Sequence, residues 1–222
     1  MTAVLPLAVD DRLVGSTLLL GKFEKQLFFA TALHLIGGIR IQIAIPPHGG
    51  NCQEPQVYPI VETQAIDAIV SATDPFTDLA ILSASADASI PITPKLAPSA
   101  GLIPVGTEVV VLGYPFAPLG SFLETWTPSH VTALARRQIA PGLEVDEIIL
   151  SAVSHPGASG SAVVGRNDGI VYGLLRGALA PPEVIKIGEI PIATDTSVTY
   201  ATSAHYIVEL LAYARTVRDS EA

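Results

Sequence analysis

A single cysteine, Cys52, stands in a chain of 222 residues, so no disulfide can close within it. The fold must hold without covalent staples, as proteins of reducing compartments do. Cys52 lies in a Pro/Gly-rich stretch, Pro46 to Cys52, that reads as a loop, and no second cysteine completes a thiolate cluster. No metal and no cofactor are expected. Basic residues are also scarce: 12 lysines and arginines face 21 aspartates and glutamates, a formal net charge of −9. Nucleic-acid binders need a basic face for phosphates, so a nucleic-acid partner is not expected, nor is an anionic membrane surface. Long apolar runs are missing; nothing approaches the ~18 residues of a membrane span. The start, Met1 to Leu7, lacks both the basic region and the apolar stretch of a secretion signal. These absences give a cytoplasmic location as the expectation.

What is present is apolar and frequently turned. Hydrophobic residues make up 49% of the chain, against 15% charged, which suits a packed core rather than disorder. Eighteen glycines and eighteen prolines punctuate it. Between them lie short runs of strand type: 12–20, 26–33, 39–45, 57–63, 65–72 and 78–82. In the third, Ile39, Ile41, Ile43 and Ile45 alternate with Arg40, Gln42 and Ala44, the period of a strand with one buried face. Gly21 to Lys25 and Gly37-Gly38 read as turns.

Pro91 to Pro104, with five prolines and glycines, marks a crossover between two similar halves. This divides the chain into 1–98 and 99–222. The second half offers strands at 108–112, two within 122–135 around Pro128-Ser129, then 147–153. Next come 161–164 and 170–176 around Asp168-Gly169, a strong hairpin signal, and finally 192–202. Only the tail has helical spacing: Ile207, Val208, Leu210, Leu211, Ala214 and Val217 follow Ala204, with Ser203 placed to cap. Many short strands in two halves with one terminal helix suggest two packed β-barrels.

The chemistry converges on His155-Pro156-Gly157-Ala158-Ser159-Gly160-Ser161. Small residues flank one serine, and a serine hydroxyl becomes a nucleophile only beside a base. Gly157 and Ser159 are spaced to aim their amides at one point, as an oxyanion hole requires. Of five histidines, His48, His130 and His155 sit beside turns and His205 opens the helix. His34 instead ends an aromatic and apolar strand, where a base would be rigid and partly buried; an imidazole titrates near ~6.5 and serves at neutral pH. Among Asp67, Asp74 and Asp78, the last opens Asp-Leu-Ala-Ile-Leu, while Asp74 reads as a turn former. A buried carboxylate needs a partner, and a histidine N–H is one.

His34, Asp78 and Ser159 run in the chain order of the chymotrypsin arrangement. Five stretches carry the resemblance further. Gly15–Leu20 with Phe29–His34, Thr77–Leu82, Val109–Phe116, Pro156–Val163 and Tyr200–Leu210 resemble, in order, the motifs of trypsin-like serine peptidases. Val109–Phe116 is similar to the Deg/HtrA-type bacterial branch. The resemblance spans nearly the whole chain, and a PDZ-like domain after Ala222 is not expected. It departs at Ala158, Ser161 and Ala162, where the family carries Asn, Gly and Pro, and at Leu33, where it carries Ala.

The resemblance implies a mainly β fold of two packed six-stranded antiparallel barrels with a short C-terminal helix. It implies an endopeptidase acting on polypeptides through an acyl-enzyme. Ser159 would attack, His34 would carry the proton, Asp78 would orient His34, and the amides of Gly157 and Ser159 would receive the oxyanion. Activity would fall on acidification through about pH 6–7 as the base protonates. The primary pocket would be walled by Val153, Ser154 and His155 and by Leu175, Arg176 and Gly177. Val153 carries no charge, which favours a small or medium apolar side chain at P1, the residue whose carbonyl is attacked. His155 and Arg176 leave an acidic or glutamine P1 open, and Arg176 also reads as a solvated strand residue. Two rivals stand: a partner-gated or inactive binding module on a protease-like fold, and an α/β-hydrolase using Ser159, Asp195 and His205. A regulatory partner and the oligomeric state are left open.

Overall fold

A computed structural model describes residues 3–46, 56, 64–85, 93–120, 122–152, 155, 157–178, 185–187, 190–192 and 198–219. Strands β1 (Val4–Val9), β2 (Arg12–Phe23), β3 (Gln26–Ala32), β4 (Ile41–Ile45), β5 (Gln64–Asp74) and β6 (Leu79–Ser85) form a closed antiparallel barrel in the order β1-β2-β3-β6-β5-β4. Strands β7 (Glu108–Gly113), β8 (Thr125–Ala140), β9 (Leu143–Leu150), β10 (Ala162–Gly165), β11 (Val171–Ala178) and β14 (Thr199–Ser203) close a second, in the order β10-β11-β14-β9-β8-β7. A small hairpin pairs β12 (Ile185–Ile187) with β13 (Ile190–Ile192), and helix α1 spans Ala204–Asp219. Two antiparallel barrels leave no place for the strand–helix alternation of an α/β-hydrolase.

The apolar strands read as nearly continuous because they bury both faces. On β2, Leu19 points into the first barrel, whereas Leu18 and Leu20 pack between the barrels. On β6, Leu82 lies inside, while Leu79 and Ile81 face the same shared layer as Tyr114, Leu174 and Ile207 of α1. The second barrel has its own core of Ile103, Val109, Val131, Ile148, Leu150 and Leu175. Three apolar layers therefore stack, and the middle one joins the barrels.

Several boundaries differ from the sequence expectation, and two prolines explain the largest. The strand β1 contains Pro6, and β8 runs unbroken through Pro128 where two strands were expected. Proline has no N–H for a ladder and is tolerated where a strand has one open side. Pro6 pairs with Ser16 of β2 before β4 joins at Leu7. Pro128 pairs with Val110 of β7 before β9 joins at Val131. The expected turn 21–25 is shorter: β2 continues to Phe23 past a bulge at Gly21, and Glu24 turns at φ 57°. The strand expected at 147–153 is β9, ending at Leu150, and that expected at 192–202 is β14, starting at Thr199. The hairpin around Asp168-Gly169 is present as β10–β11. Ser203, expected to cap α1, pairs its hydroxyl with His205 Nδ1 at 2.9 Å. The strand expected at 57–63, the Cys52 loop, His48 and Asp195 lie outside the described residues.

The crossover reaches the second barrel before residue 98. Leu96 forms a parallel bridge with Val171. Ala97 N–H donates to the Val171 carbonyl at 2.9 Å, and Val171 N–H to the Lys95 carbonyl at 2.8 Å.

Candidate active site

The site lies between the barrels, and each contribution begins with a turn. At the β5–β6 turn, Asp74 accepts from Phe76 N–H at 2.9 Å and Thr77 Oγ1 at 2.7 Å. This side-chain turn, of the kind Asp favours, delivers Asp78 in the left-handed region at φ 57°. From there its main chain and side chain both reach the end of β3. The Asp78 carbonyl accepts from Leu33 N–H at 2.8 Å, and Oδ1 accepts from His34 N–H at 2.9 Å. Oδ2 lies 2.7 Å from His34 Nδ1. A carboxylate there makes Nδ1 the protonated nitrogen and leaves Nε2 a lone pair.

Burial opposes the charge on Asp78. The Nδ1 bond, the charge of His34, the His34 amide and the charge of Arg176 outweigh it and hold the carboxyl below its ordinary range.

Ser159 arrives from the second barrel. Its loop is closed by Ala158 N–H on the His155 carbonyl at 2.9 Å, Ser161 N–H on the Ala158 carbonyl at 3.1 Å and Gly160 N–H on the Leu175 carbonyl at 2.8 Å. The Ser159 carbonyl accepts from Ser16 N–H of β2 at 3.0 Å, which locks the loop to the opposite barrel. Gly157 lies in the turn closed by Ala158 N–H on the His155 carbonyl, at φ +96°, which glycine adopts without strain. Gly160 has φ +80°, and a Cβ there would meet the Ser16 carbonyl oxygen at 1.9 Å. Ser159 Oγ lies 3.0 Å from His34 Nε2 and 2.9 Å from the Arg176 carbonyl, two acceptors within reach of its single proton. Three side chains separated by up to 125 positions are thus brought into one hydrogen-bonded line.

The departures at Ala158, Ser161 and Ala162 are accommodated. Ala158 and Ala162 are buried, and Ser161 Oγ packs against Ser16 Oγ at 3.3 Å. Ser16 Oγ also accepts Tyr114 N–H at 2.9 Å. Space for the Ser161 hydroxyl comes from Gly113, where a Cβ would lie 1.8 Å from it.

Of the expected pocket residues, His155 and Leu175 line one cavity of about 270 Å³ with Val111, Pro115, Ala152 and Ala158. No Asp, Glu, Lys or Arg lines it, among the described residues. Val153 and Ser154 lie outside the described residues. Gly177 continues β11 beyond the cavity lining.

Arg176 does not line that cavity, and its side chain is largely buried. Its side chain is only 18% exposed and turns away from the cavity to Asp78 Oδ2 at 3.2 Å and Glu147 Oε1 at 2.9 Å. A free guanidinium for an acidic P1 is therefore not on offer. Asp78, Glu147 and Arg137 form a connected ion-pair set with it, and neither Glu147 nor Arg137 carried a sequence signal. Their alternation on β8 and β9 looks like an ordinary charged hairpin. His205, the base of the hydrolase alternative, pairs with Ser203 and stacks on Tyr206 instead.

With that geometry in view, the comparisons with known proteins are direct. The profile of the trypsin-like peptidase domain matches residues 16–174. The chain belongs to this family. Among solved structures, the peptidase domain resembles Rv3671c of M. tuberculosis H37Rv, a serine-to-alanine mutant in an inactive form. The TM-score is 0.64 at 19% identity, covering 96% of this chain and 87% of that one. It also resembles the HtrA-type protease AlgW with a decapeptide, at TM-score 0.65 and 20% identity over 92% of this chain. The match covers 52% of AlgW, so this chain spans about half the length of that protein. A search of curated proteins found no match. Among the described residues, no helix is long and apolar enough to cross a membrane. No group of three or more His, Cys, Asp or Glu side chains among them is placed to hold a metal ion.

Proposed function

We propose that this trypsin-like domain is a serine endopeptidase that cleaves polypeptides through an acyl-enzyme. One observation carries the reading: Ser159 Oγ, His34 and Asp78 stand in line at 3.0 and 2.7 Å. As a peptide carbonyl approaches, Ser159 Oγ bonds to its carbon while the hydroxyl proton passes to His34 Nε2. The Asp78 carboxylate, held ionised, stabilises the imidazolium that forms. The electron pair displaced onto the carbonyl oxygen is met by the amides of Gly157 and Ser159. The hydrogen-bonded turn that holds Gly157 two residues before Ser159 supports this. Removing one such donor typically costs ~100–1000-fold in rate. His34 then gives its proton to the leaving amine as the C–N bond breaks. Water repeats the sequence in reverse and frees the acid product.

The cavity beside Ala158, lined by no Asp, Glu, Lys or Arg among the described residues, is the P1 site in this reading. At about 270 Å³ it exceeds the ~150 Å³ cavity that takes up benzene. An apolar P1 side chain fits it, and a lysine or arginine would bury its charge without a partner. The test is covalent labelling by a fluorophosphonate. Wild type labels; Ser159→Ala and His34→Ala do not. A wild type that fails to label would move the chain to a non-catalytic binding role.

A further inference from the structure

The β5–β6 turn that carries Asp78 is gripped from the second barrel at three consecutive residues. Arg137 Nη2 of β8 donates to the Phe76 carbonyl at 2.8 Å, and Thr202 Oγ1 of β14 to the Thr77 carbonyl at 2.8 Å. Arg176 Nε of β11 donates to Asp78 Oδ2 at 3.2 Å. The third contact differs in kind, because it falls on the oxygen that also meets His34 Nδ1 at 2.7 Å.

Arg176 is itself immobilised. Its Nη1 donates to Glu147 Oε1 at 2.9 Å, and Arg137 Nε holds the same oxygen at 2.6 Å. The guanidinium carbon lies 5.0 Å from the centre of the Tyr200 ring, within range of a cation–π contact. Two cations and two carboxylates balance in this set. The side chains of Arg176, Asp78 and Glu147 are 18%, 15% and 9% exposed, so solvent screens the pairing little. A guanidinium suits this position, since its rigid fork serves two diverging acceptors and a lysine ammonium on a flexible stem does not. The main chain of the same residue faces the nucleophile, with its carbonyl 2.9 Å from Ser159 Oγ.

We propose that Arg176 is a positioning residue for the reaction: its guanidinium fixes the Asp78 carboxylate across the barrel interface, while its own main chain lies beside Ser159 Oγ. This rests on the peptidase reading above. One residue thereby registers the acid of the first barrel against the nucleophile of the second. Its loss lets Asp78 and His34 swing without emptying the P1 cavity, which Arg176 does not line. The expected defect is in kcat and not in KM.

The experiment compares wild type, Arg176→Met, Arg176→Lys and Glu147→Gln by fluorophosphonate labelling, steady-state peptide cleavage and thermal melting. Arg176→Met is expected to lower kcat and the labelling rate about 10–100-fold, by analogy with losing an outer-shell partner of a metal-bound histidine. KM stays within about twofold. Arg176→Lys restores part of the rate, and Glu147→Gln gives a smaller loss of the same kind. Unchanged kcat in Arg176→Met overturns the proposal, as does a loss confined to KM. Met and Lys variants that are equally slow and equally destabilised would assign Arg176 to folding alone. If Arg176→Met does not fold, Glu147→Gln decides, and an unchanged kcat there refutes the role. A wild type that does not label removes the peptidase reading and this proposal together. A wild type that labels no faster than Arg176→Met removes only the latter.

Discussion

Gly113 and Ser161 share one space: a Cβ on the glycine would lie 1.8 Å from the serine hydroxyl oxygen. The hydroxyl, in turn, meets Ser16 Oγ at 3.3 Å across the barrel interface. Gly113→Ala therefore forces Ser161 or β7 to move, beside the nucleophile loop. The expected cost is about 1–3 kcal/mol, the range for overpacking a core, read as a lowered midpoint in urea. Ser161→Gly in the same chain should return much of it. A double variant no more stable than Gly113→Ala alone would show that the clash is relieved elsewhere.

The line from Asp78 to Ser159 can be cut at its far end without touching the nucleophile. Asp78→Asn keeps the shape but presents an amide to His34 Nδ1 and disfavours the tautomer that leaves Nε2 free. A fall in kcat on the order of 10⁴-fold is expected, with the fold intact by circular dichroism. A peptide-cleavage rate within tenfold of wild type would contradict the role given to Asp78.

Acid stability follows from the same carboxylate. The fold holds the Asp78 carboxyl below its ordinary value of 3.8, so the folded state favours the ionised form. Its stabilisation is fully present above the unfolded-chain value and is lost as pH falls through the lowered folded value. The stability gap between wild type and Asp78→Asn should narrow as pH drops from 6 to about 2.5, measured by urea unfolding. A gap independent of pH would show that Asp78 is not ionised preferentially in the fold. Asp168, held low by the Ile170 amide and the Tyr172 hydroxyl, keeps some acid sensitivity in the variant.

The cavity proposed as the P1 site can be narrowed at Ala152, which is buried in its wall. Ala152→Leu should cut kcat/KM for leucine-sized P1 residues at least about tenfold and spare alanine. One methylene of fit is worth roughly 10–200-fold in a hydrophobic pocket. A peptide library resolves this, and it also shows whether wild type prefers apolar over basic P1. Preference for lysine or arginine would displace this cavity as the P1 site.

The three side chains that meet between the barrels were each legible as candidates, because each sits in a stretch whose local pattern reports its setting. His34 ends an apolar strand, Asp78 opens one, and Ser159 lies among small residues. The two-barrel fold was legible from alternating short strands. Arg176 was not, because its partners Asp78 and Glu147 lie 98 and 29 positions away and come together only after the barrels close. Pro128 misled for the same reason. A proline breaks a strand only if its missing N–H faces a neighbour, and where β4 and β9 join is tertiary information. Gly113 carried no signal of its role, since the atom it makes room for belongs to Ser161, which returns beside β7 only after β8 and β9 have been laid down.

The middle apolar layer, with Leu18, Leu79, Tyr114 and Ile207 fully buried in it, sets more than stability. His34 and Ser159 stand on opposite sides of that seam, so in the proposed peptidase the rate works as a strain gauge for how the two barrels seat. A shift of about 1 Å there can cost ~100-fold in rate, while every strand keeps its ladder of hydrogen bonds. Under rising pressure or dilute denaturant, cleavage should fade while the β-sheet signal still stands.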